Sequence, residues 1–383
     1  MSQRKALWTI YACVAVSYLG VGLVAPLISI VLNHHGAGSF VVGLVGTTMF
    51  GALAVSSFPI GTAVDRFGPK IILVLGLIVY SVAILLFAFI DVVWLFFAVR
   101  AVEGIAAAAI SVATETMINQ LSDPLQRGRR MSYYGLSVGI GWALGPLAGG
   151  LLFGIRPWLP FVGCFGFSIV SAILVASLVP HTGSGNHKLK GLFTGLSLAI
   201  AVPLSAGALH GYLMSSLVTL FPLYLNRLGF HEVEMGSIVT AVILGMLLSQ
   251  LPIGRAGDRF GKRWVLFGSS VALGLVFALM PGRADGSVYA ALGALVGAFA
   301  GSLYPLGLAT LGSVVSHGRL GAATALFSLA FGIGSLTGPT LSGLAMKHLG
   351  DRWLFYLPSI LCTAFAIELA ILYRRTVANN APA

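Results

Sequence analysis

Apolar residues run along the chain in stretches of about twenty or more, separated by short segments that carry most of the charged residues. A helix needs about 20 mostly apolar residues to cross the hydrocarbon core of a bilayer. The pattern therefore predicts twelve membrane-spanning helices, at residues 6–32, 40–63, 71–91, 93–118, 131–154, 158–180, 194–225, 234–256, 264–281, 287–312, 320–346 and 353–373. The first stretch is too long for a removed signal peptide, so we interpret it as a span. The expected fold class is an all-α membrane protein.

The composition indicates lipid as the solvent of most of the surface, because 57% of the 383 residues are hydrophobic and 9% are charged. The net charge of +11 alone would also fit a nucleic-acid-binding protein. With a cytoplasmic N-terminus, however, sixteen lysines and arginines fall on the cytoplasmic side, five fall on the other side, and Arg100 lies within a span. This asymmetry predicts a multi-pass protein of the cell inner membrane with both termini in the cytoplasm, and argues against nucleic acid as a partner.

Two pairs of segments repeat at one offset. Residues 56–68 and 249–261 agree at nine of thirteen positions, and residues 139–150 and 332–343 repeat at the same shift of 193. A constant shift over this length predicts duplicated halves in parallel orientation, related by a pseudo-two-fold axis. We expect an N-terminal six-helix bundle at 1–180, a flexible cytoplasmic linker at 181–193 and a C-terminal six-helix bundle at 194–383.

The repeated loop contains glycine, aspartate and basic residues at fixed spacing: Gly61, Asp65, Arg66, Gly68 and Lys70, then Gly254, Asp258, Arg259 and Gly261. It resembles the signature loop of the major facilitator superfamily, although Pro69 stands where a basic residue is usual, and the chain as a whole is most like the bacterial twelve-helix drug:proton antiporters of that family. The resemblance implies the major facilitator fold, alternating access and a loop that latches one access state. The alternative is a charged loop that only fixes topology.

The second repeated motif is rich in glycine: Gly141, Gly145, Pro146, Gly149 and Gly150, with Gly334, Gly338 and Pro339 in the second half. Glycines four residues apart share a helix face and allow another backbone to approach. The motif resembles one in the fifth helix of the superfamily's exporters, which implies export. A tight helix crossing unrelated to direction is the alternative.

Charged residues inside the fourth span are the candidates for proton coupling, because charge at membrane depth is costly and usually functional. Arg100 and Glu103 are three residues apart on one face, towards the central chamber, and the family resemblance associates this arginine with proton coupling. A permanent ion pair that locks two helices is the alternative. Glu115 lies farther along, where we expect a latch carboxylate paired with Arg66 or Lys70, or else a solvated charge at a helix end.

The remaining candidates are polar or aromatic residues within spans. His210 titrates in a useful range and is a third coupling candidate, or else a packing residue. Residues that could line the substrate cavity, or pack, are Tyr18, Trp142, Tyr212, Gln250, Ser302 and Tyr304. Glu368 is expected to pair with Arg374 or Arg375 along its helix.

The spans hold too few ionisable groups to bind phosphates or dicarboxylates, which favours an amphipathic, neutral or weakly basic small molecule. We expect proton-coupled efflux of such a substrate by a monomer, with proton-coupled uptake of a nutrient or metabolite as the alternative. The sequence has no paired nucleophile and base, metal-ligand cluster or phosphate-binding loop, which argues against an enzyme, a metal site and a cofactor. A channel would need no duplicated latch.

Overall fold

The computed structural model describes residues 3–123, 126–180, 200–283, 285–315 and 320–379, so the predicted linker at 181–193 lies outside the described residues. The described chain is helical and contains no strand. Its helices are α1 (Gln3–Val24), α2 (Leu27–His34), α3 (Ser39–Phe67), α4 (Pro69–Leu86), α5 (Val93–Gln120), α6 (Arg127–Ile155), α7 (Leu159–Leu178), α8 (Ala201–Arg227), α9 (Glu232–Phe260), α10 (Lys262–Leu279), α11 (Gly286–Val314), α12 (Leu320–Leu349) and α13 (Trp353–Asn379).

Twelve helical segments in the described residues are long and apolar enough to cross a membrane, which confirms the predicted span count and fold class. The first of them, Lys5–His34, consists of α1 and α2 rather than one continuous helix. The interruption lies at Ala25 and Pro26. Proline has no amide hydrogen to donate and its ring crowds the preceding turn, so it favours a break at this position.

Many large apolar side chains lie on the protein surface, as expected for helices that face lipid. Val55 is 80% exposed, and Trp94 and Leu248 are each 75% exposed. In hydrocarbon every backbone amide and carbonyl must find a partner within its own segment, which is why these stretches fold as helices. The solvent-exposed Asp285 precedes α11 and accepts hydrogen bonds from the hydroxyl and the amide of Ser287, which lower the pKa of its carboxyl.

The chain divides into two compact units. The first contains residues 1–188 and also residues 225–240, which are the end of α8 and the start of α9. In this unit α1 packs against α6 and α7, α4 packs against α5 and α7, and α3 packs against α5. The second unit contains the other residues, and there α10 packs against α11 and α13.

The sequence repeat is also visible in the packing within each unit. A Cβ atom on Gly104 of α5 would collide with the backbone of Met49 in α3. A Cβ atom on Gly297 of α11 would collide with the backbone of Val242 in α9. Both residues of the second contact lie 193 positions after those of the first. The two halves therefore use the same close helix crossing.

Candidate functional site

Arg100 and Glu103 form a buried ion pair in α5. The Arg100 guanidinium donates a hydrogen bond of 2.9 Å to the Glu103 carboxylate, and both residues are less than 10% exposed. From α4, the Tyr80 hydroxyl donates a longer hydrogen bond of 3.4 Å to the other carboxylate oxygen. The guanidinium also lies 5.7 Å from the ring centre of Phe87. The pair expected to face the central chamber is therefore enclosed between α5 and α4.

Further ionisable groups approach this pair from other helices of the first unit. Cys164 of α7 lies within electrostatic range of Glu103, and Tyr18 of α1 lies within range of Tyr80. Side chains from α4 and α7 thus approach the carboxylate, and α1 contributes a group near Tyr80. A charge in such surroundings is stable only while its partner stays in place.

Glu115 is not paired with Arg66 or Lys70 in the structure, contrary to the expectation for a latch carboxylate. No ion pair or hydrogen bond of its carboxylate is found within the described ranges. Its side chain is exposed, and it lies within electrostatic range of Tyr18 of α1 and Tyr134 of α6. Glu115 is five residues before the end of α5, about 7 Å along the helix, so its position fits the alternative of a solvated charge near a helix end.

A narrow crevice inside the first unit borders Tyr18. Among its lining residues are Ser17 and Tyr18 of α1, Leu77 of α4 and Thr114 of α5. The Thr114 hydroxyl is buried and has no hydrogen-bond partner in the part of the chain that the structure describes. The crevice therefore contains a polar atom whose bonding is incomplete.

His210 belongs to an aromatic cluster in the second unit. Its Nδ1 atom lies 2.9 Å from the carbonyl oxygen of Ala300, so this nitrogen is the donor and the ring is the Nδ1–H tautomer. The ring lies 5.6 Å from that of Tyr304 and 5.9 Å from that of Phe331. Of the predicted residues in this half, the structure brings His210 and Tyr304 together.

The other predicted cavity residues lie on different helices, and each is described in its own surroundings. The Tyr212 hydroxyl lies 2.6 Å from that of Ser342, so it serves the contact between α8 and α12. The Ser302 hydroxyl donates to the Phe299 carbonyl within its own helix. Gln250 is exposed and Trp142 is half-buried.

The repeated loops join α3 to α4 and α9 to α10 through Gly68 and Gly261. Their backbone φ angles are 85° and 90°, values that residues other than glycine rarely adopt. The guanidinium of Arg66 lies 5.2 Å from the Phe67 ring centre, and that of Arg259 lies 5.2 Å from the Phe260 ring centre. Both loops thus have the same local geometry.

Residues near the second loop contact neighbouring helices. The Lys262 ammonium donates to the Ala309 carbonyl in α11 at 3.2 Å, and the Arg263 guanidinium donates to the Leu369 carbonyl in α13 at 2.7 Å. No hydrogen bond or ion pair of Asp65 or Asp258 is found in the described residues. The latch role of these loops stays a prediction.

The glycines of α6 form a close contact with α1. A Cβ atom on Gly141, Gly145 or Gly149 would overlap backbone atoms of α1, including those of Gly22 and Leu23. In the second unit, Gly334 and Gly338 meet α8 in the same way.

Two further contacts of α6 involve the start of α9. A Cβ atom on Gly150 would collide with the carbonyl of Glu232, and one on Gly236 would collide with the carbonyl of Pro146. Pro146 and Pro339 both lie inside helices that continue past them.

The sequence analysis did not identify several of the residues that make contacts in the structure. Tyr80 and Tyr134 carried no motif that singled them out. Asn33 donates a hydrogen bond of 3.0 Å to Asn226, and the shift of 193 between these residues could have identified them. Glu368 accepts a hydrogen bond of 3.1 Å from Ser205, whereas the side chains of its expected partners, Arg374 and Arg375, lie outside the described residues.

Comparison with known proteins identifies relatives over nearly the whole chain. It is 28% identical over 365 residues to an uncharacterized MFS-type transporter, YfkF, of Bacillus subtilis (strain 168), covering 94% of this chain and 93% of that protein. It is 27% identical over 379 residues to multidrug resistance protein 1 of the same organism, covering 96% and 94%.

Solved structures share the fold. A bacterial homolog of the human lysosomal transporter Spinster, in an inward-facing and occupied conformation, aligns with a TM-score of 0.78 at 13% identity and 96% coverage of both chains. The nucleoside transporter NupG aligns with a TM-score of 0.79 at 15% identity, covering 96% of this chain and 99% of that one. The family model of the Major Facilitator Superfamily matches residues 10–231 and 203–382. The chain therefore belongs to the Major Facilitator Superfamily of membrane transporters.

Proposed function

We propose that this transporter exports an amphipathic, neutral or weakly basic small molecule in exchange for protons, by alternating access. The observation that carries the proposal is the buried Glu103, a titratable carboxylate at membrane depth whose charge is balanced by Arg100. Carboxyl groups within membrane spans are usual members of the proton relays of transporters.

Two observations support the direction. The α6 glycine motif resembles that of the superfamily's exporters, and this resemblance favours export, whereas the close contact of these glycines with α1 fits either direction. One of the similar relatives is a multidrug resistance protein. Proton-coupled uptake by the same fold predicts the opposite direction of substrate movement, so transport measurements separate the two functions.

The test uses purified protein in liposomes with an imposed pH gradient and two probes, the cation ethidium and the neutral compound chloramphenicol. We expect at least one probe to move against its gradient in the direction opposite to the protons, and an uncoupler to abolish this movement. Movement in the same direction as protons would establish uptake instead. Gradient-independent equilibration alone would contradict both proposals.

Glu103→Gln tests the coupling residue. The amide keeps an acceptor for Arg100 but cannot titrate, so we expect loss of uphill transport by protein that still inserts and folds, with a lower free energy of unfolding because the buried arginine has lost its counter-charge. Glu234→Gln, which changes an exposed carboxylate in α9, is the matched control and should transport normally. Uphill transport by Glu103→Gln at the wild-type rate would remove Glu103 from the coupling role.

A further inference from the structure

Three aromatic rings contact one another where α1 and α6 begin. The ring centre of Trp8 lies 5.8 Å from that of Tyr11 and 6.0 Å from that of Tyr133, and the two tyrosine ring centres are 6.0 Å apart. The Tyr11 hydroxyl donates a hydrogen bond of 3.0 Å to the Arg130 carbonyl, which joins the two helices. Trp8 is 52% exposed, so the group of rings reaches the protein surface.

Two arginines of α6 lie beside these rings. The Arg129 Nε atom donates a hydrogen bond of 3.1 Å to the Tyr133 hydroxyl, and its guanidinium lies 5.7 Å from the centre of the same ring. The Arg130 guanidinium donates a hydrogen bond of 3.1 Å to the Gln126 side chain. Neither arginine forms an ion pair within the part of the chain that the structure describes, and the sequences of α1 and α6 contain no acidic residue. Neutral side chains therefore orient two cations whose charge is not balanced.

This group of residues lies at a boundary of the membrane. The membrane-spanning segments of these two helices begin at Lys5 and Arg129. The bond between Tyr11 and Arg130 brings the two starts together, so both lie at the same face of the bilayer. Tryptophan and tyrosine are enriched at the level of the lipid headgroups, and anionic headgroups attract lysine and arginine there.

The corresponding contact in the second unit is aliphatic. The residues 193 positions after Tyr11 and Tyr133 are Leu204 and Leu326, and the close glycine contacts of these helices follow the same shift. Leu326 belongs to an apolar core cluster, and Leu204 packs against it. The fold can therefore form this helix contact without rings or charges, which indicates that the rings and arginines of the first unit have a role outside packing.

We propose that Arg129, Arg130 and Trp8 bind the headgroup of an anionic phospholipid. The planar guanidinium groups match the oxygens of a phosphate, which accept two hydrogen bonds from one arginine. Tyr133 is a positioning residue, because its hydroxyl and its ring hold the Arg129 side chain. Trp8 lies at the surface beside them and packs against the glycerol and the upper part of an acyl chain. The site does not include the buried ion pair of α5, so it is separate from proton coupling.

The test measures lipid binding to the purified full chain in detergent by native mass spectrometry. The two probes are dioleoyl-phosphatidylglycerol, which is anionic, and dioleoyl-phosphatidylcholine, which has the same acyl chains and no net charge. One basic residue near an anionic lipid contributes a preference of about fivefold. We therefore expect the wild-type protein to bind the anionic lipid about tenfold more tightly or better, and Arg129→Gln to reduce this preference about fivefold.

Arg156→Gln is the matched control. Arg156 is exposed like Arg129 and follows the other end of α6, so its substitution removes the same charge from the opposite face of the bilayer. The control should keep the wild-type preference. An equal loss of preference in Arg156→Gln would mean that the anionic lipid is attracted by net charge alone, and would overturn the site.

Variants of Tyr133 test the orientation of Arg129. Tyr133→Phe keeps the ring beside the guanidinium and should retain most of the preference for the anionic lipid. Tyr133→Leu, which introduces the residue found at the equivalent position of the second unit, should lose at least half of it. Equal binding of the two lipids by the wild-type protein, or an unchanged preference in Arg129→Gln or Tyr133→Leu, would overturn the site.

Discussion

Arg100 and Glu103 show how a single buried ion pair limits the substitutions that α5 can tolerate. Their side chains are 9% and 4% exposed, so water cannot replace either partner. The Arg100 Nε atom is buried without a hydrogen bond in the described structure, which adds a desolvation cost that its contact with Glu103 must offset. The stability of the pair therefore depends on both members being present.

A double-mutant cycle on this pair tests that dependence. Arg100→Met leaves a buried carboxylate without its cation, and we expect a loss of about 3–5 kcal/mol in the free energy of unfolding. Arg100→Met combined with Glu103→Leu should recover most of this loss, because no charge stays buried. Unfolding in increasing sodium dodecyl sulfate, followed by circular dichroism, gives both values. If the loss in the double variant equalled the sum of the losses in Arg100→Met and Glu103→Leu, the two side chains would not depend on each other.

Gly68 and Gly261 are single residues whose backbone conformation fixes a turn. Their φ values of 85° and 90° are combined with ψ values of 148° and 129°, close to a region that is almost restricted to glycine. We expect Gly68→Ala and Gly261→Ala each to lower the free energy of unfolding by about 1–3 kcal/mol.

Gly61→Ala is the matched control for these substitutions. Gly61 lies inside α3 without a positive φ, and a Cβ atom there would meet nothing within 4 Å. The control should be neutral or slightly stabilising. If Gly68→Ala behaved like Gly61→Ala in the same detergent titration, the strained turn would not be needed for folding.

At this scale the sequence predicted partners along a helix but not partners between helices. The spacing of Arg100 and Glu103 predicted their contact, because residues three apart share a helix face. Tyr80 and the tyrosines beside Glu115 come from other helices, and a single sequence carries no signal for which side chains of neighbouring helices meet. For the same reason the sequence left open whether Glu115 pairs with Arg66 or Lys70 or is a solvated charge, and the structure shows an exposed Glu115 without that pairing.

Among the helices, the contact of α6 with α1 depends on the absence of side chains. Gly149 lies against the backbone of Leu23, where a methyl group would overlap the chain. Small residues allow this approach, and the resulting van der Waals contacts hold helices together in lipid. Glycine is a poor helix former, but at this position it is needed for the close packing of α6 against α1.

Gly149→Ala should separate α6 from α1. We expect a loss of about 1–3 kcal/mol in the free energy of unfolding, as for other overpacked cores. Gly154→Ala lies in the same helix, where a Cβ atom would meet nothing within 4 Å, and should be neutral or gain about 0.5–1 kcal/mol. Equal effects of the two substitutions on unfolding in sodium dodecyl sulfate would mean that the close contact is not needed.

The matching contact in the second unit uses polar side chains where the first uses glycine and leucine. Ser342 occupies the position equivalent to Gly149, and its hydroxyl lies 2.6 Å from that of Tyr212 and 3.0 Å from that of Ser216. The glycine spacing predicted both close contacts between helices. The spacing could not predict that hydrogen bonds take the place of close packing in the second unit. These hydroxyls become partners only because the fold brings α8 and α12 together.

Across the whole molecule, residues 193 positions apart share backbone conformations and helix contacts as well as sequence. Gly36 and Gly229, like Gly68 and Gly261, have positive φ at equivalent positions. Hydropathy and repetition predicted the twelve spans and the family, because the bilayer requires apolar helices and duplication preserves register. They could not predict that residues 225–240 pack with the first unit, since this depends on contacts between distant segments.

Asn33 and Asn226 link those residues to the first unit. Their amide side chains, equivalent in the repeat, form a hydrogen bond of 3.0 Å at half-buried positions. Such a bond contributes about 1 kcal/mol. We therefore expect Asn33→Ala or Asn226→Ala to raise the population in which residues 225–240 have left the first unit by about fivefold.

A cysteine placed at Met235 reports this population, because Met235 is 1% exposed and lies between Glu232 and Gly236, whose backbones contact α6. In a chain whose native cysteines Cys13, Cys164 and Cys362 are replaced by alanine, maleimide labelling of Met235→Cys in detergent should accelerate about fivefold with Asn33→Ala. Asn33→Ala and Asn226→Ala together should accelerate it no more than either alone, since both remove the same bond. Additive acceleration would mean that the two amides act separately, and an unchanged labelling rate would mean that their hydrogen bond does not hold residues 225–240 in place.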